Sequence, residues 1–250
     1  MIRVGRAVWS KTEKDGYVWP ETNIDGQQFT PIKVLTKSSE YGALSPYVLR
    51  DAYGRIMENI YQASKIYPHV PTTTAQYTVR QPRIVWSWPA ETHVINGGIS
   101  PAYFRWRTAL MNNPEPVRYP VGYQARNTCI GSIKPDLTTA TETIPAVVTL
   151  LNYVDARKQI YEPLYINLVR QQKQFAELLQ RHQNGENLLI IEVDGPHQES
   201  LQYYMEKYGV NPKFITGSTI LASPQNLDLM LNDTKHPYGH GYCLARALMM

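Results

Sequence analysis

Proline sets the tightest limit on this chain. Between Pro68 and Pro145 it recurs at positions 71, 82, 89, 101, 114, 116, 120 and 135. Each proline removes a backbone donor and fixes φ, so this region has no room for a long helix or an unbroken central strand. One stretch escapes the limit. Residues 101–111 (PAYFRWRTALM) carry their proline in the first turn, where the missing N–H costs nothing, and the spacing predicts a helix there.

Regular structure is therefore expected on either side. From Leu151 through Val154, Arg157, Tyr161, Leu164, Tyr165, Leu168 and Val169 to Phe175, Leu178 and Leu179, residues recur at three and four. That predicts helix over 150–182, kinked or divided at Pro163 and closed by Asn184-Gly185. Residues 188–193 (LLIIEV) read as a buried strand opening onto a tight turn at Asp194-Gly195-Pro196-His197. Further helices are expected over 198–208, 224–231 and 242–249, with a Gly-rich turn at 236–241 before the last. Toward the N-terminus, residues 1–37 read as short strands and turns, with β-formers over 3–9, a turn at 14–16 and an edge strand over 28–35 interrupted by Pro31. Residues 38–46 and 137–143 read as loops. The expected fold is one α+β domain over 1–250, predominantly helical, with a small β-sheet that includes 188–193. Its core would form where the 150–182 run packs on a helix over 56–66.

The net charge of +4 over 250 residues permits nucleic acid or a phosphorylated ligand as partner without demanding either. Cys129 and Cys243 alone make no disulfide framework and suit a reducing compartment. No apolar run reaches the roughly 18 residues of a membrane span, and the first residues lack the apolar core of a signal peptide. A cytoplasmic chain that does not engage a membrane is the expectation.

The chemistry concentrates in residues 51–68 (DAYGRIMENIYQASKIYP). On a helix over 56–66, Glu58, Gln62 and Lys65 share one stripe, flanked by Met57 and Tyr61 on one edge and by Ile60 and Ala63 on the other. A surface helix places its charges opposite its apolar face, so this interleaving reads either as a pocket wall or as ordinary solvated charge. The loop just upstream serves as a connector or presents N–H groups to a phosphate or sugar. Trp86 to His93 sets two tryptophans beside a carboxylate and an imidazole, and Arg105, Trp106, Arg107, Arg118 and Tyr119 interleave arginine with rings. Such residues suit stacking on a base and gripping its phosphate, or an apolar core with snorkelling arginines. His236 and His240 are four apart, but Pro237 and Gly239 oppose a shared helix, and no metal site is expected. No phosphate-loop, dinucleotide or nucleophile-elbow motif occurs. What remains is the acids Glu58, Glu192 and Asp194, the amine Lys65 and, in a Gly-flanked loop, His240 as a ligand contact. That set suits cleavage of a glycosidic bond, with a desolvated lysine able to form a Schiff base with an opened sugar.

Residues 44–65 add a specific likeness. Leu44-Ser45-Pro46-Tyr47, followed by Glu58, Tyr61, Gln62, Ala63 and Lys65, resembles the opening of the NADAR family of N-glycosidases, with Asn59 where that family usually has His. Residues 156–179 followed by 188–192 look similar to a later family helix and strand. Residues 239–249 are similar to its closing turn and helix, with Ala245 in place of a Gly. By this resemblance residues 1–37 are an extension and 69–148 an insertion on a NADAR-like domain. The resemblance implies hydrolysis of the bond between ribose and a heterocyclic amine, with no cofactor. It implies Lys65 as nucleophile, Glu58 as acid/base, and Asp194 or Glu192 as an assisting group. Ser45, Tyr47, Gln62, Trp106, Arg107, Arg118, Tyr119, Glu192 and His240 would contact substrate. That substrate is ADP-ribosylated guanine in nucleic acid, or a phosphoribosylated aminopyrimidine; a silent ADP-ribose or nucleic-acid binding module is the reading from another class.

Overall fold

The computed structural model describes residues 1–12, 16–35, 40–76, 84–139 and 149–250, so parts of the expected turn at 14–16 and of the loops at 38–46 and 137–143 lie outside the described residues. The fold is α+β with a small mixed sheet. Helix accounts for 38% of the described residues, so the expectation of a predominantly helical molecule is corrected. The contacts group the chain into two compact units. One comprises Met1–Ser45 with Tyr165–Met250, the other Pro46–Leu164. Among the described residues no helix is long and apolar enough to cross a membrane.

The first unit is built on four strands in the order Thr219–Leu221, Ile2–Arg6, Leu188–Glu192, Thr30–Lys33. The Leu188–Glu192 strand runs parallel to both neighbours and is buried along its whole length, as a strand covered on both faces must be. Pro31 cannot donate to a ladder, and its strand accordingly lies at the sheet edge. The His240–Met249 helix packs across Ile2–Arg6 and Leu188–Glu192, and the Lys173–Gln183 and Pro224–Asn232 helices pack on it.

The expected 150–182 helix exists in pieces and is shared between the units. It runs as Tyr153–Ala156, a π-turn over Arg157–Tyr161, then Glu162–Val169, and resumes at Lys173–Gln183. Pro163 neither breaks nor divides it. The chain widens by one residue just before the proline, with Glu162 N–H reaching the Arg157 carbonyl. The break falls instead at residues 170–172, and the Asn184-Gly185 stop is present, with Gly185 at φ +87°.

In the second unit the Met57–Ser64 helix packs chiefly on the Pro101–Met111 helix, which corrects the expected pairing with the 150–182 run. The proline-rich region is not structureless. It folds into short antiparallel pairs, one of them turned by Asn96-Gly97 with both residues at positive φ, the geometry that a two-residue hairpin requires.

Candidate active site

The Met57–Ser64 helix is entered through a tight turn. Asp51 accepts hydrogen bonds from Tyr53 N–H (3.0 Å) and Arg55 N–H (2.9 Å) and pairs with the Arg55 guanidinium at 2.7 Å. The orphan N–H groups of the first helical turn are met by the preceding loop, Met57 N–H donating to the Leu49 carbonyl and Glu58 N–H to that of Pro46. Every residue of the helix is buried. Lys65 is not its last turn, as expected, but the first residue of a two-residue strand that pairs with Gly131–Ser132.

Within this frame Glu58, Gln62 and Lys65 form one hydrogen-bonded line. Lys65 Nζ donates to Gln62 Oε1 at 3.0 Å, and Gln62 Nε2 donates to Glu58 Oε1 at 2.8 Å. The ammonium also lies 4.7 Å from the centre of the Tyr61 ring, which packs on Tyr161 at 4.8 Å. Burial lowers the Lys65 pKa from its ordinary value, opposed by the negative charge of Glu58 and the thiol of Cys129. Burial likewise holds the Tyr61 phenol well above its usual range, reinforced by Tyr153, Glu58 and Cys129 and opposed by Arg157. The amine is therefore held in a desolvated setting, the state in which a lysine acts as a nucleophile.

Three residues here escape a reading of spacing. Arg157 and Tyr161 sit at a helical i,i+4 interval that looks like ordinary core, yet from the π-turn Tyr161 packs on Tyr61 and the charge of Arg157 acts on the Tyr61 phenol. Cys129 carries no sequence signature and is reached only through the pairing of residues 130–132 with Lys65 and Ile66.

Asn59, where the resembled family has His, is fully buried and serves as a tie. Its Nδ2 donates to the carbonyls of Asn113 and Glu115, each at 3.0 Å, and its Oδ1 accepts from Val117 N–H at 2.8 Å. Asn59→Ala would leave the buried Val117 N–H and the part-buried Asn113 carbonyl without this partner, the Glu115 carbonyl keeping its bond from Asn113 Nδ2, and is expected to cost about 2–4 kcal/mol of stability. Urea denaturation checks this, and a loss below about 1 kcal/mol would contradict the tie.

Two expected ligand contacts are corrected to interior roles. Trp106 is 0% exposed, packed among Tyr67, Trp86 and His93, and presents no face to a ligand. Arg107 is 1% exposed; its Nη1 donates to Tyr103 Oη and to the Ile133 carbonyl, while Tyr103 Oη reaches the Ala63 and Ser64 carbonyls at the end of the Met57–Ser64 helix. It thus supports the carbonyl end of the helix that precedes Lys65, where a cation is favoured. Arg118 is exposed and Tyr119 partly so, in the same unit. Tyr47 is partly exposed, and Ser45, at the end of the first unit's N-terminal segment, is fully buried.

Glu192, Asp194 and His240 belong to the first unit and are described there by themselves. Glu192, 0% exposed, accepts from Val193 N–H at 2.8 Å and from Gly241 N–H at 2.7 Å, so it caps the His240–Met249 helix. His240 is the first residue of that helix and not part of a loop. Its Nδ1 lies 3.1 Å from Glu192 Oε2 and its Nε2 3.0 Å from the Val34 carbonyl, which leaves neither ring nitrogen for a ligand. Gly239 permits this closeness, since a Cβ there would come within 2.5 Å of Glu192 Oε2. Asp194 is partly exposed at the rim of the cluster. Among the described residues no group of His, Cys, Asp and Glu could hold a metal ion. Comparison of the chain with protein-family models, with curated proteins and with solved structures finds no match, so its chemistry rests on these residues alone.

Proposed function

We propose that the chain is an N-glycosidase of NADAR-like character that hydrolyses the bond between ribose and a heterocyclic amine, its substrate being ADP-ribose on guanine in nucleic acid. The observation that carries this reading is the Lys65–Gln62–Glu58 line, an amine and a carboxylate joined by one amide in a desolvated setting. In the reaction, Glu58 passes the protons that the Lys65 amine loses on bonding the sugar to the departing amine and to the ring oxygen as the sugar opens. The bond from the anomeric carbon to the heterocycle's nitrogen breaks, and Lys65 Nζ bonds that carbon as a Schiff base. Water then hydrolyses the imine, releasing the sugar and restoring the lysine. Gln62 holds the two reacting groups in register. With Cys129 and Cys243 both outside any disulfide, a cytoplasmic setting suits the chain.

The test offers the protein an oligonucleotide bearing ADP-ribosylated guanine and, separately, a phosphoribosylated aminopyrimidine. Release of the sugar from the first alone is expected. Release from the second alone moves the reading to a small metabolite, and turnover of neither replaces the enzyme by a binding module. Glu58→Gln is expected to slow turnover by about 10² to 10⁴; an unchanged rate removes Glu58 from the chemistry.

A further inference from the structure

In the second unit, four side chains between residues 118 and 126 form a ladder of cation, ring, ring and cation. The Arg118 guanidinium carbon lies 5.3 Å from the centre of the Tyr119 ring. The Tyr119 and Tyr123 rings meet edge to face at 5.1 Å, and the Arg126 guanidinium carbon sits 3.6 Å from the centre of Tyr123. Arg126 is also fixed to the backbone, its Nη1 donating to the Tyr123 carbonyl at 2.5 Å. Tyr123 is nevertheless 59% exposed. A large ring held from behind by a pinned guanidinium offers a stationary flat face to a partner, with little rotamer freedom left to lose on binding. Along the sequence on either side of it the charge has one sign. Between Glu115 and Asp136 the sequence carries Arg118, Arg126 and Lys134 and no acid.

Flat rings between cations fit a polymer that alternates flat bases with phosphates. We infer that this ladder binds a single-stranded polynucleotide, with a base stacked on Tyr123 and the flanking phosphates at Arg118 and Arg126. The strand must be unpaired, because a duplex hides the faces of its bases and leaves only its phosphates to contact. The ladder is close in sequence to the candidate chemistry. The Arg126–Thr128 turn runs through Cys129 into Gly131–Ser132, the strand paired with Lys65–Ile66. The inference rests on the proposed function only in making the bound strand the carrier of the base to be cleaved. The binding itself does not depend on that function.

The test is fluorescence anisotropy with an unmodified, labelled thymidine strand of about 15 nucleotides, the same strand in a duplex, and an abasic strand of equal length, at two salt concentrations. The intact single strand is expected to bind more tightly than either of the others. Tyr123→Ala should weaken it about tenfold, whereas Tyr123→Phe, which keeps the ring, should bind like the wild type. Arg126→Gln should weaken binding and flatten its salt dependence by about 0.7 in log–log slope, one phosphate contact on a single strand. Equal affinity for the intact and abasic strands, or equal affinity for the duplex, would overturn the inference, as would Tyr123→Ala without effect. Since no modified base is present, a failure of the glycosidase reading would leave these affinities unchanged, and a failure of the ladder would leave the slowing of turnover by Glu58→Gln unchanged.

Discussion

Lys65→Met is expected to abolish trapping of a sugar adduct by borohydride and to lower turnover roughly 10⁴-fold or more, as loss of a nucleophile does. The same variant is expected to be at least as stable as the wild type. Both expectations come from one fact, that burial lowers the pKa of this amine. A lysine attacks only as the free amine, so a lowered pKa increases its reactive fraction near neutral pH. Adduct formation should accordingly rise with pH through an apparent pKa below the ordinary lysine value of about 10.4. The stability effect has the opposite sign from that of a lysine gaining a partner. Below the folded-state pKa the amine is charged in both states, and the folded chain bears the cost of desolvating it. That cost is relieved as pH rises from the folded toward the unfolded pKa. Methionine fills similar space without the charge, so at neutral pH it removes the cost. Trapping by intact protein and by the variant, with thermal melts of each, separates the outcomes. An adduct that still forms in Lys65→Met assigns the chemistry to another amine, and a variant markedly less stable than wild type places Lys65 in a supporting role.

What could be read from the sequence follows how local each determinant is. The Pro101–Met111 helix has its signal within itself, and the same holds for the edge strand bearing Pro31, the buried Leu188–Glu192 run and the Gly185 stop. The Glu58, Gln62 and Lys65 interval was likewise legible, because one helical stripe brings these residues together even though Lys65 itself begins a strand. Ile2–Arg6 is different. It looks like one short strand among several, yet it lies inside the sheet because its parallel partner comes more than 180 residues later. The paired turns at Asp25-Gly26 and Asn96-Gly97 carried a hairpin signal that the surrounding prolines and polar residues obscured. Arg107 marks the limit of composition as a guide. An arginine among rings fits a phosphate grip or a snorkelling core residue, and its place depends on carbonyls at the end of a helix some 40 residues earlier.

A feature that spacing in the sequence does not disclose is also densely bonded, and it supports the largest expected loss of stability. Asp233 ends the Pro224–Asn232 helix as its cap and is 0% exposed. Tyr203 and Tyr204 donate to it at 2.7 Å and Tyr208 at 3.0 Å, joined by His236 Nδ1 at 2.8 Å and the backbone N–H groups of Lys235 and His236. Burial alone would raise the pKa of this carboxyl. The bonds from Tyr203, Tyr204, His236 and Lys235 outweigh burial and hold it far below the usual carboxylate range. Asp233→Ala leaves the buried Tyr204 hydroxyl and several part-buried donors without this acceptor and is expected to cost about 3–5 kcal/mol. For a chain of this size that lowers the melting temperature by roughly 6 to 20 °C. Tyr203→Phe, which removes one donor, should cost about 1 kcal/mol. The pH dependence follows from the depressed folded-state pKa. The stabilisation is fully present above the unfolded carboxylate value of about 3.9 and is lost as pH falls from there through the folded value. The gap between wild type and Asp233→Ala should therefore be complete at pH 7 and narrower at pH 3. A gap that stays constant between those two pH values would mean that the bonds to Asp233 do not depend on its charge. A gap of less than about 2 °C at pH 7 would mean that the cluster does not anchor the turn through which the chain passes from Asp233 to Gly239 and His240.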